Sequence, residues 1–407
     1  MPVPIRRAFG HPICLVTFSV ASTVLVLSAR TAGATTYTAV DMNPAGFEES
    51  VFLSIDGGKQ VGWGRSPTFN APHALLWNGT ANDYVDLHAG DIPNSIASFV
   101  RNGQQVGNVI GYGVMGFGDR QRAILWTGTA ASYVDLTPAG FTDGKADAVG
   151  GGQQVGSVWN GDFGPSHAAL WTGSRDSFVD LRTGAEALAV SAGRQGGSGF
   201  VGTSRHALLW FGTAASVVDL NPAPFTQSMV FGMDDLQAVG MGSGPSTGGE
   251  DHALLWTGNT AASFVDLHPS RFTRSAAASV RGGFQVGSAN GPDNLNHAIV
   301  WSGTADSAVD LNAFLPPGFV SAVASDVDTD GTVVGWAGDA NFNFHAMMWI
   351  PAAPEPVGPV VMFMGATAVI FRRRHVTPNR TASLATRLPG PGCRSAPTDG
   401  ATLWPSA

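Results

Sequence analysis

The stretch HALLWTGNTAASFVDL at residues 252–267 combines three residue types that catalytic sites favour: a histidine, a tryptophan and an aspartate. A histidine within reach of an aspartate can act as a general base. A catalytic constellation is used once in a chain, however, and this pattern recurs in seven equivalent places, six of which carry the histidine. The recurrence indicates that these residues serve the architecture of the protein.

We expect the histidine of the pattern to brace a strand, with its ring nitrogens bonded to nearby backbone or to the buried aspartate of the neighbouring strand. In the second copy Arg122 takes its place, and an arginine can donate hydrogen bonds in the same way but does not bind a metal ion. The predicted bracing histidines are His73, His167, His206, His252, His297 and His345.

A second pattern, DVDTDGTVVG, places Asp326, Asp328 and Asp330 directly before a glycine. Carboxylates at alternate positions before a glycine are typical of the start of a calcium loop. The glutamate of such loops is missing at the twelfth position, where Ala337 stands, and the same slot in other repeats reads SIDGGKQVG or SVRGGFQVG. An ordinary hairpin turn is therefore the favoured interpretation, with calcium as the alternative, and no cofactor is predicted.

Charge and motifs narrow the class of function. Residues 35–350 carry 13 basic against 28 acidic residues, a formal difference of −15, which would repel nucleic acid phosphates. No dinucleotide or phosphate-binding glycine motif, nucleophile elbow or zinc spacing is present. Carboxylates in glycine-rich and proline-rich loops could serve a glycan-acting enzyme, which needs two of them at a fixed separation. These loop acids are Asp119, Asp162, Glu250, Asp251 and Asp293.

The elements that carry these residues follow from the repeat. Successive tryptophans of the H-A-x-x-W segments are 49, 45, 39, 46, 45 and 48 residues apart, and a period of 40–50 residues is typical of propellers and solenoids. We expect these tryptophans to occupy equivalent buried positions between repeats. They are Trp77, Trp126, Trp171, Trp210, Trp256, Trp301 and Trp349.

Each repeat contains four short apolar runs separated by turn residues: a V-D-L strand, a Ser/Ala/Val segment, a Q-V-G strand and the H-A-x-x-W strand. Four antiparallel strands make one propeller blade. The sequence therefore predicts an all-β, seven-bladed β-propeller over residues 35–350. The leftover first strand, residues 37–42, should pair with the leftover last strand, residues 345–349, and so close the ring.

The H-A-x-x-W core followed by D-L resembles the extracellular HAF repeat family, over roughly residues 37–350. The family's phenylalanine is replaced by Leu, Ile, Ala or Met, and the glycine after D-L is replaced by other residues. The resemblance implies a β-propeller at the bacterial surface and no particular activity.

The N-terminus predicts export. Two arginines precede the apolar run from Ile13 to Ala29, and Ala32 and Ala34 form an A-x-A cleavage signal, so residues 1–34 read as a signal peptide. An uncleaved membrane anchor is the alternative. Cys14 lies in this segment and Cys393 near the other end, so the chain between them has no disulfide.

The C-terminus carries a second targeting pattern within residues 351–374. Pro354, Glu355 and Pro356 precede an apolar run, and a basic cluster follows it, consisting of Arg372, Arg373 and Arg374. This succession resembles the PEP-CTERM sorting signal, which implies a short membrane anchor and processing by an exosortase-type enzyme. It departs from that signal in the tail at residues 375–407, which is rich in Pro, Ser, Thr and Arg and is predicted to be disordered.

From the sequence we predict an exported, non-enzymatic cell-surface or extracellular-matrix protein that binds polysaccharide or surface proteins. The alternative is a propeller enzyme that acts on glycans through acidic loop residues. Contact with the membrane is expected only through the terminal segments.

Overall fold

A computed structural model of the chain describes residues 36–69, 71–90, 92–111, 120–162 and 164–352. Within these ranges the chain forms strands and short 3₁₀ turns, with no α-helix. The strands form seven sheets, each of four antiparallel strands. The first strands of neighbouring sheets contact one another around a ring, in which the seventh contacts the first. The predicted seven-bladed β-propeller is confirmed.

Six blades consist of four consecutive strands, from the inner to the outer edge of the blade. Blade 1 contains β2 Glu49–Asp56, β3 Lys59–Arg65, β4 His73–Thr80 and β5 Asp83–Asp86, and blade 2 contains β6 Asn94–Arg101, β7 Gln104–Gly111, β8 Arg120–Trp126 and β9 Val134–Asp135. Blade 3 contains β10 Asp143–Gly150, β11 Gln153–Trp159, β12 His167–Trp171 and β13 Val179–Thr183, and blade 4 contains β14 Ala185–Ser191, β15 Arg194–Val201, β16 Ser204–Trp210 and β17 Val218–Asp219. Blade 5 contains β18 Gln227–Met233, β19 Ala238–Ser243, β20 His252–Trp256 and β21 Phe264–Asp266, and blade 6 contains β22 Arg274–Arg281, β23 Phe284–Asn290, β24 Asn296–Trp301 and β25 Val309–Asp310.

The seventh blade is built from both ends of the described chain. It contains β26 (Phe319–Val327), β27 (Val333–Asp339), β28 (Phe344–Pro351) and, at its outer edge, β1 (Tyr37–Asp41). Tyr37 is the register partner of Pro351, and the backbone amide of Ala352 donates to the carbonyl of Thr36 over 2.8 Å. The predicted closure of the ring is confirmed: β1 gains a partner in β28, and β28 is paired on both sides.

The repeat of the sequence and the blade of the structure differ in phase by one strand. Read along the sequence, the V-D-L strand begins each repeat, whereas in space it is the outer strand that ends each blade. The predicted hairpin between the Trp strand and the V-D-L strand is present, with Leu125 opposite Val134. A three-residue 3₁₀ turn, such as Ala130–Ser132, lies in the connection between them.

The seven repeat tryptophans are fully buried, each at 0% relative exposure. Each one fills the space between two blades. Trp126 of blade 2, for example, packs with Leu76 and Leu87 of blade 1. Large aromatic side chains contribute most of the apolar area buried between sheets, and the repeat therefore places one at every blade boundary.

A bulge in the inner strand explains the glycine of Q-V-G. In blade 1 the register shifts between Phe52 and Ser54, and a Cβ atom on Gly62 of the second strand would overlap the carbonyl oxygen of Val51. The same close approach recurs in all seven blades, so only glycine fits. The extra residue of each bulge is Leu53, Ser98, Asp147, Leu188, Phe231, Ala278 or Ser325.

The ring has two ends that we name by their contents. The His end carries the loops that join the second strand to the third, beside the recurring histidines. The hairpin end carries the tight turns that join the first strand to the second, such as Gly57–Gly58. None of the helical segments in the described ranges is long and apolar enough to cross a membrane.

Candidate functional site

The recurring histidines lie within the first three residues of the third strand of their blades, and each contacts the aspartate of the fourth strand. In blade 1 the Nδ1 atom of His73 lies 2.9 Å from Asp86 Oδ2. The other five pairs have the same geometry at 2.7–2.9 Å: His167–Asp180, His206–Asp219, His252–Asp266, His297–Asp310 and His345–Asp41. The aspartate side chains of the six pairs are 27–44% exposed, rather than buried as expected.

Blade 2 performs the same bracing with an arginine. Arg122 donates from Nε and Nη2 to Asp135 Oδ2, at 3.1 and 2.6 Å. The other carboxylate oxygen of Asp135 accepts the amide of Thr137, two residues onward, and so fixes the turn into the next blade. The His/Arg–Asp pair thus joins the two outer strands and orients the chain as it leaves them.

Two further histidines were not singled out by the sequence pattern. His88 and His268 follow D-L in blades 1 and 5, and they stack on His73 and His252 with ring centroids 3.7 and 3.9 Å apart. Both also bond to the start of the next inner strand: His88 Nδ1 lies 2.8 Å from Ser95 Oγ, and His268 Nδ1 lies 2.9 Å from Ser275 Oγ. Burial, and secondly the neighbouring histidine, lowers the pKa of His88 and of His268.

The glutamine of Q-V-G also has a role that the sequence analysis missed. Gln105 is almost fully buried, donates to the carbonyl of Gly103 and accepts the amide of Gly128, so that it ties the first turn of the blade to the last. The recurrence of glutamine at this position of the repeat is the sequence signal that could have indicated the role. The glutamines with this pair of bonds are Gln60, Gln105, Gln154, Gln195 and Gln285.

The residues considered for calcium lie at the ring closure, on the inner strand of blade 7 and the turn after it. Asp326 is 1% exposed and accepts hydrogen bonds from the hydroxyls of Ser54 in blade 1 (2.6 Å) and Ser279 in blade 6 (2.5 Å). Asp328 accepts the Gly58 amide, whereas Asp330 accepts only the nearby amide of Thr332. Among the described residues no three acidic, histidine or cysteine side chains form a metal-binding group.

Arg281 adds an ionic contact at the same closure. This blade 6 side chain lies 2.7 Å from Asp56 of blade 1 and 3.2 Å from Asp328 of blade 7. Together with Asp326, it links the inner strands of blades 6, 7 and 1. We name Asp326, Arg281 and Asp328 the closure clamp.

The loop acids within the described residues lie at the His end, in three different blades: Asp162 in blade 3, Glu250 and Asp251 in blade 5, and Asp293 in blade 6. Asp293 lies 3.5 Å from His297 of its own blade, and the Leu295 amide, which donates to it, lowers its pKa. Glu250 faces Arg274 at 3.9 Å, and Asp162 is exposed. Within the described part of the chain, no side-chain contact joins two of these acids. Asp119 lies outside the described residues.

A row of charged side chains that no repeat pattern predicted extends from Asp147, at the wall of the central channel, to Arg205 on the third strand of blade 4. Asp147 lies 3.6 Å from Lys145, Lys145 lies 3.9 Å from Glu186 of blade 4, and Glu186 lies 3.4 Å from Arg205. Asp147 is the member of this row that lies nearest to the hairpin end. Burial raises the pKa of Asp147 to about 6, although Lys145 opposes the shift. Such a carboxyl in a cleft is a candidate for ligand contact.

Asp147 lines a cavity of about 140 Å³ in the hairpin half of the channel. The wall includes the bulge residues of several blades, together with Phe99 and Met233, and its accessible surface is polar and apolar in about equal parts. The Oδ2 atom of Asp147 is buried and accepts no hydrogen bond within the described part of the chain.

The predicted targeting residues lie outside the described ranges. These are the cleavage residues Ala32 and Ala34 and the sorting residues Pro354, Glu355, Pro356, Arg372, Arg373 and Arg374.

No protein-family model and no curated protein matches this chain. Among solved structures, a puromycin hydrolase mutant complexed with PGG is 10% identical over 74% of this chain, which spans 51% of the hydrolase, with a TM-score of 0.49. The β-propeller domain of the Trilobed protease from Pyrococcus furiosus is 6% identical over 74% of this chain and 95% of its own, with a TM-score of 0.48. Oligogalacturonate lyase from Vibrio parahaemolyticus is 9% identical over 78% of this chain and 94% of its own, with a TM-score of 0.48. At these identities the similarity concerns the β-propeller fold.

Proposed function

We propose that this protein is an exported, non-enzymatic scaffold of the cell surface or extracellular matrix, whose propeller binds polysaccharide or protein through the loops of its His end. Export rests on the signal-like N-terminus and the PEP-CTERM-like segment of the sequence. The binding role rests on a difference between two sets of loops: those that join the third and fourth strands have nearly constant length, whereas those that join the second and third strands vary in length.

The connections between third and fourth strands are nearly constant. In the six blades built from consecutive strands, five of these connections contain seven residues, and each of the five includes a 3₁₀ turn. The connections between second and third strands vary from two residues, at 202–203, to eight, at 244–251. A constant frame with variable loops at one end is the usual arrangement of binding proteins, whose contacts are made by loops on a rigid support. This contrast is the observation that carries the proposal.

The variable loops and the strand ends beside them present both aromatic and acidic groups. Phe342 is 68% exposed in the loop of blade 7, and Phe200 is 53% exposed beside the loop of blade 4. Acids of the same end include Asp162 and Glu250. Exposed aromatic rings and hydrogen-bonding carboxylates are suited to a sugar or a protein surface.

The test is a binding screen of the purified propeller against polysaccharides, with new reducing ends measured in the same samples. We expect retention on at least one polysaccharide and no new reducing ends. The double variant Phe200→Ser/Phe342→Asn should weaken binding, since asparagine tolerates the left-handed backbone of Phe342. Leu236→Ser, on the 77% exposed residue of a hairpin-end turn, is the matched control and should bind normally.

Two results would contradict the proposal. Release of reducing ends would establish the glycan-acting alternative, and the loop acids would then be replaced in turn by their amides. Equal loss of binding in the Leu236→Ser variant would place the binding surface at the other end of the ring. Export is tested separately on the protein from its host: N-terminal sequencing should place its first residue near Thr35, and its intact mass should show that the segment after Pro356 is absent.

A further inference from the structure

Phe342, in the His-end loop of blade 7, holds a bulky side chain in a backbone conformation that such residues rarely adopt. Its φ angle is +62°, in the left-handed region, and the residue is 68% exposed. This conformation crowds the Cβ atom and is uncommon for residues other than glycine, asparagine and aspartate. Strain of this kind is typical of residues whose position serves a function. The other non-glycine residues with positive φ in the described ranges are smaller: Asn102, Ala192 and Asn294.

Asp339 holds the turn in this conformation. Its carboxylate accepts hydrogen bonds from the backbone amides of Asn341 (2.8 Å) and Asn343 (3.0 Å) and from the side chain of Asn343 (3.0 Å). The amide of Phe342 in turn donates to the carbonyl of Asp339 over 3.0 Å. None of these bonds involves the ring of Phe342, which contacts no other aromatic ring or cation within the described part of the chain. The turn is therefore fixed by its own bonds, and the ring stays exposed to solvent.

The strand ends below the turn give it a rigid base. Phe344 packs edge to face on Trp336, with ring centroids 4.8 Å apart, and it occupies the space beside Gly338, where a Cβ atom would meet the ring at 3.2 Å. These contacts join the end of β27 to the start of β28. An aromatic ring presented on a fixed turn loses little conformational freedom when a ligand binds.

The chemistry of the tip fits an uncharged sugar. Phe342 is flanked by the exposed residues Asn341 and Asn343, whose side-chain amides can both donate and accept hydrogen bonds. A hexose with equatorial hydroxyls matches this set, because its C–H face packs on an aromatic ring and its hydroxyls bond to amides.

Size and charge argue against other ligands for the tip. One ring and two amides offer far less area than the roughly 800 Å² that each partner of a stable protein complex buries. The propeller carries 13 basic and 28 acidic residues between positions 35 and 350, which disfavours polyanionic polysaccharides.

We propose that the turn at residues 339–343 is a sugar-binding site, on which Phe342 stacks against one hexose unit of a neutral, β-linked polysaccharide. This role rests on the proposed scaffold function and deepens it, because it names the class of polysaccharide and one residue that contacts it. The backbone strain lowers stability, and it holds the ring where the ring meets the sugar.

The experiment is affinity electrophoresis of the purified protein in gels that contain a polysaccharide. Hydroxyethylcellulose and galactomannan are the neutral β-linked probes, and alginate is the anionic probe. We expect retardation by at least one neutral probe and none by alginate. Phe342→Asn should weaken binding by about tenfold or more, whereas Phe342→Tyr, which keeps a ring at the tip, should bind within about twofold of the unaltered protein.

Thermal unfolding of the same variants separates the site from the fold. Phe342→Asn should raise the Tm by roughly 2 °C, because asparagine adopts the left-handed conformation with less strain. Ala192→Asn is the matched control, because it relaxes a φ of 50° in a hairpin-end turn where blade 2 already has Asn102. It should raise the Tm in the same way and leave binding unchanged.

Three results would overturn this role for Phe342. Full binding of a neutral probe by Phe342→Asn would leave the scaffold function standing and place the sugar on other residues. Retardation by alginate alone, or by no polysaccharide, would exclude a neutral glycan, and in the second case a protein would be the remaining ligand of the scaffold. A lower Tm of Phe342→Asn than of the unaltered protein would show that the ring supports the fold instead.

Discussion

At the scale of single residues, Asp147 is stabilised by its environment in the protonated form. Its pKa is raised from 3.8 to about 6, so its contribution to the free energy of unfolding is fully present below pH 3.8 and is lost as the pH rises through 6. Asp147→Asn should therefore stabilise the propeller above pH 6, by on the order of 2 kcal/mol. Thermal unfolding at about pH 7.5 and about pH 5 checks this, and a lower Tm of the variant at the higher pH would contradict it.

The stacked histidines titrate in the opposite sense. The pKa values of His88 and His268 lie below 6.5 in the folded protein, so the unfolded chain binds protons more readily. Their contribution to stability is complete above pH 6.5 and is lost as the pH falls below it. Asparagine stands after D-L in other blades, as Asn221 does in blade 4, where its side chain accepts from Ser228.

The double variant His88→Asn/His268→Asn should therefore lose less stability than the unaltered protein when the pH falls from about 7.5 to about 5. Denaturant titration at the two pH values measures the difference. Parallel losses in both proteins would show that the stacked pairs do not control the response to acid.

At the scale of strands and turns, the closure clamp should hold the seventh blade to its neighbours. Asp326→Ala would leave the hydroxyls of Ser54 and Ser279 without their buried acceptor, and we expect a loss of about 3 kcal/mol in the free energy of unfolding. Asp330→Ala is the matched control, because that side chain accepts only an exposed local amide. A calorimetric comparison in which both variants unfold alike would show that the clamp is not important for stability.

At the scale of the whole molecule, closure by β1 predicts that a short deletion has a large effect. Removing residues 37–42 should lower the Tm by far more than the loss of six terminal residues usually does, because β28 would then expose an open edge. The measurement is thermal unfolding of the truncated protein with and without a synthetic peptide of residues 36–42. Unfolding at the Tm of the full protein, or no recovery with the peptide, would contradict this account of closure.

The sequence predicted those features of the molecule that repeat. Tryptophans at a period of about 45 residues indicated the blades, and the unmatched strands at each end indicated the closure. Features that occur once left no pattern. Lys145 and Glu186 meet only because neighbouring inner strands lie side by side, and Arg281 reaches Asp56 only because the ring closes. These contacts depend on strand register and on the bulges, which hydrophobic periodicity alone does not determine.

The pairing of β1 with β28 also determines how the molecule responds to mechanical load. The two strands are antiparallel, so the start of β1 lies beside the end of β28, where Tyr37 is opposite Pro351. A force that pulls residues 36 and 352 apart would therefore open the ladder one hydrogen-bonded pair at a time. A force applied only after residue 352 would act on a strand held between β1 and β27 along its length. A propeller tethered by its C-terminal side alone would thus resist drag in shear, whereas one tethered at both ends would unzip.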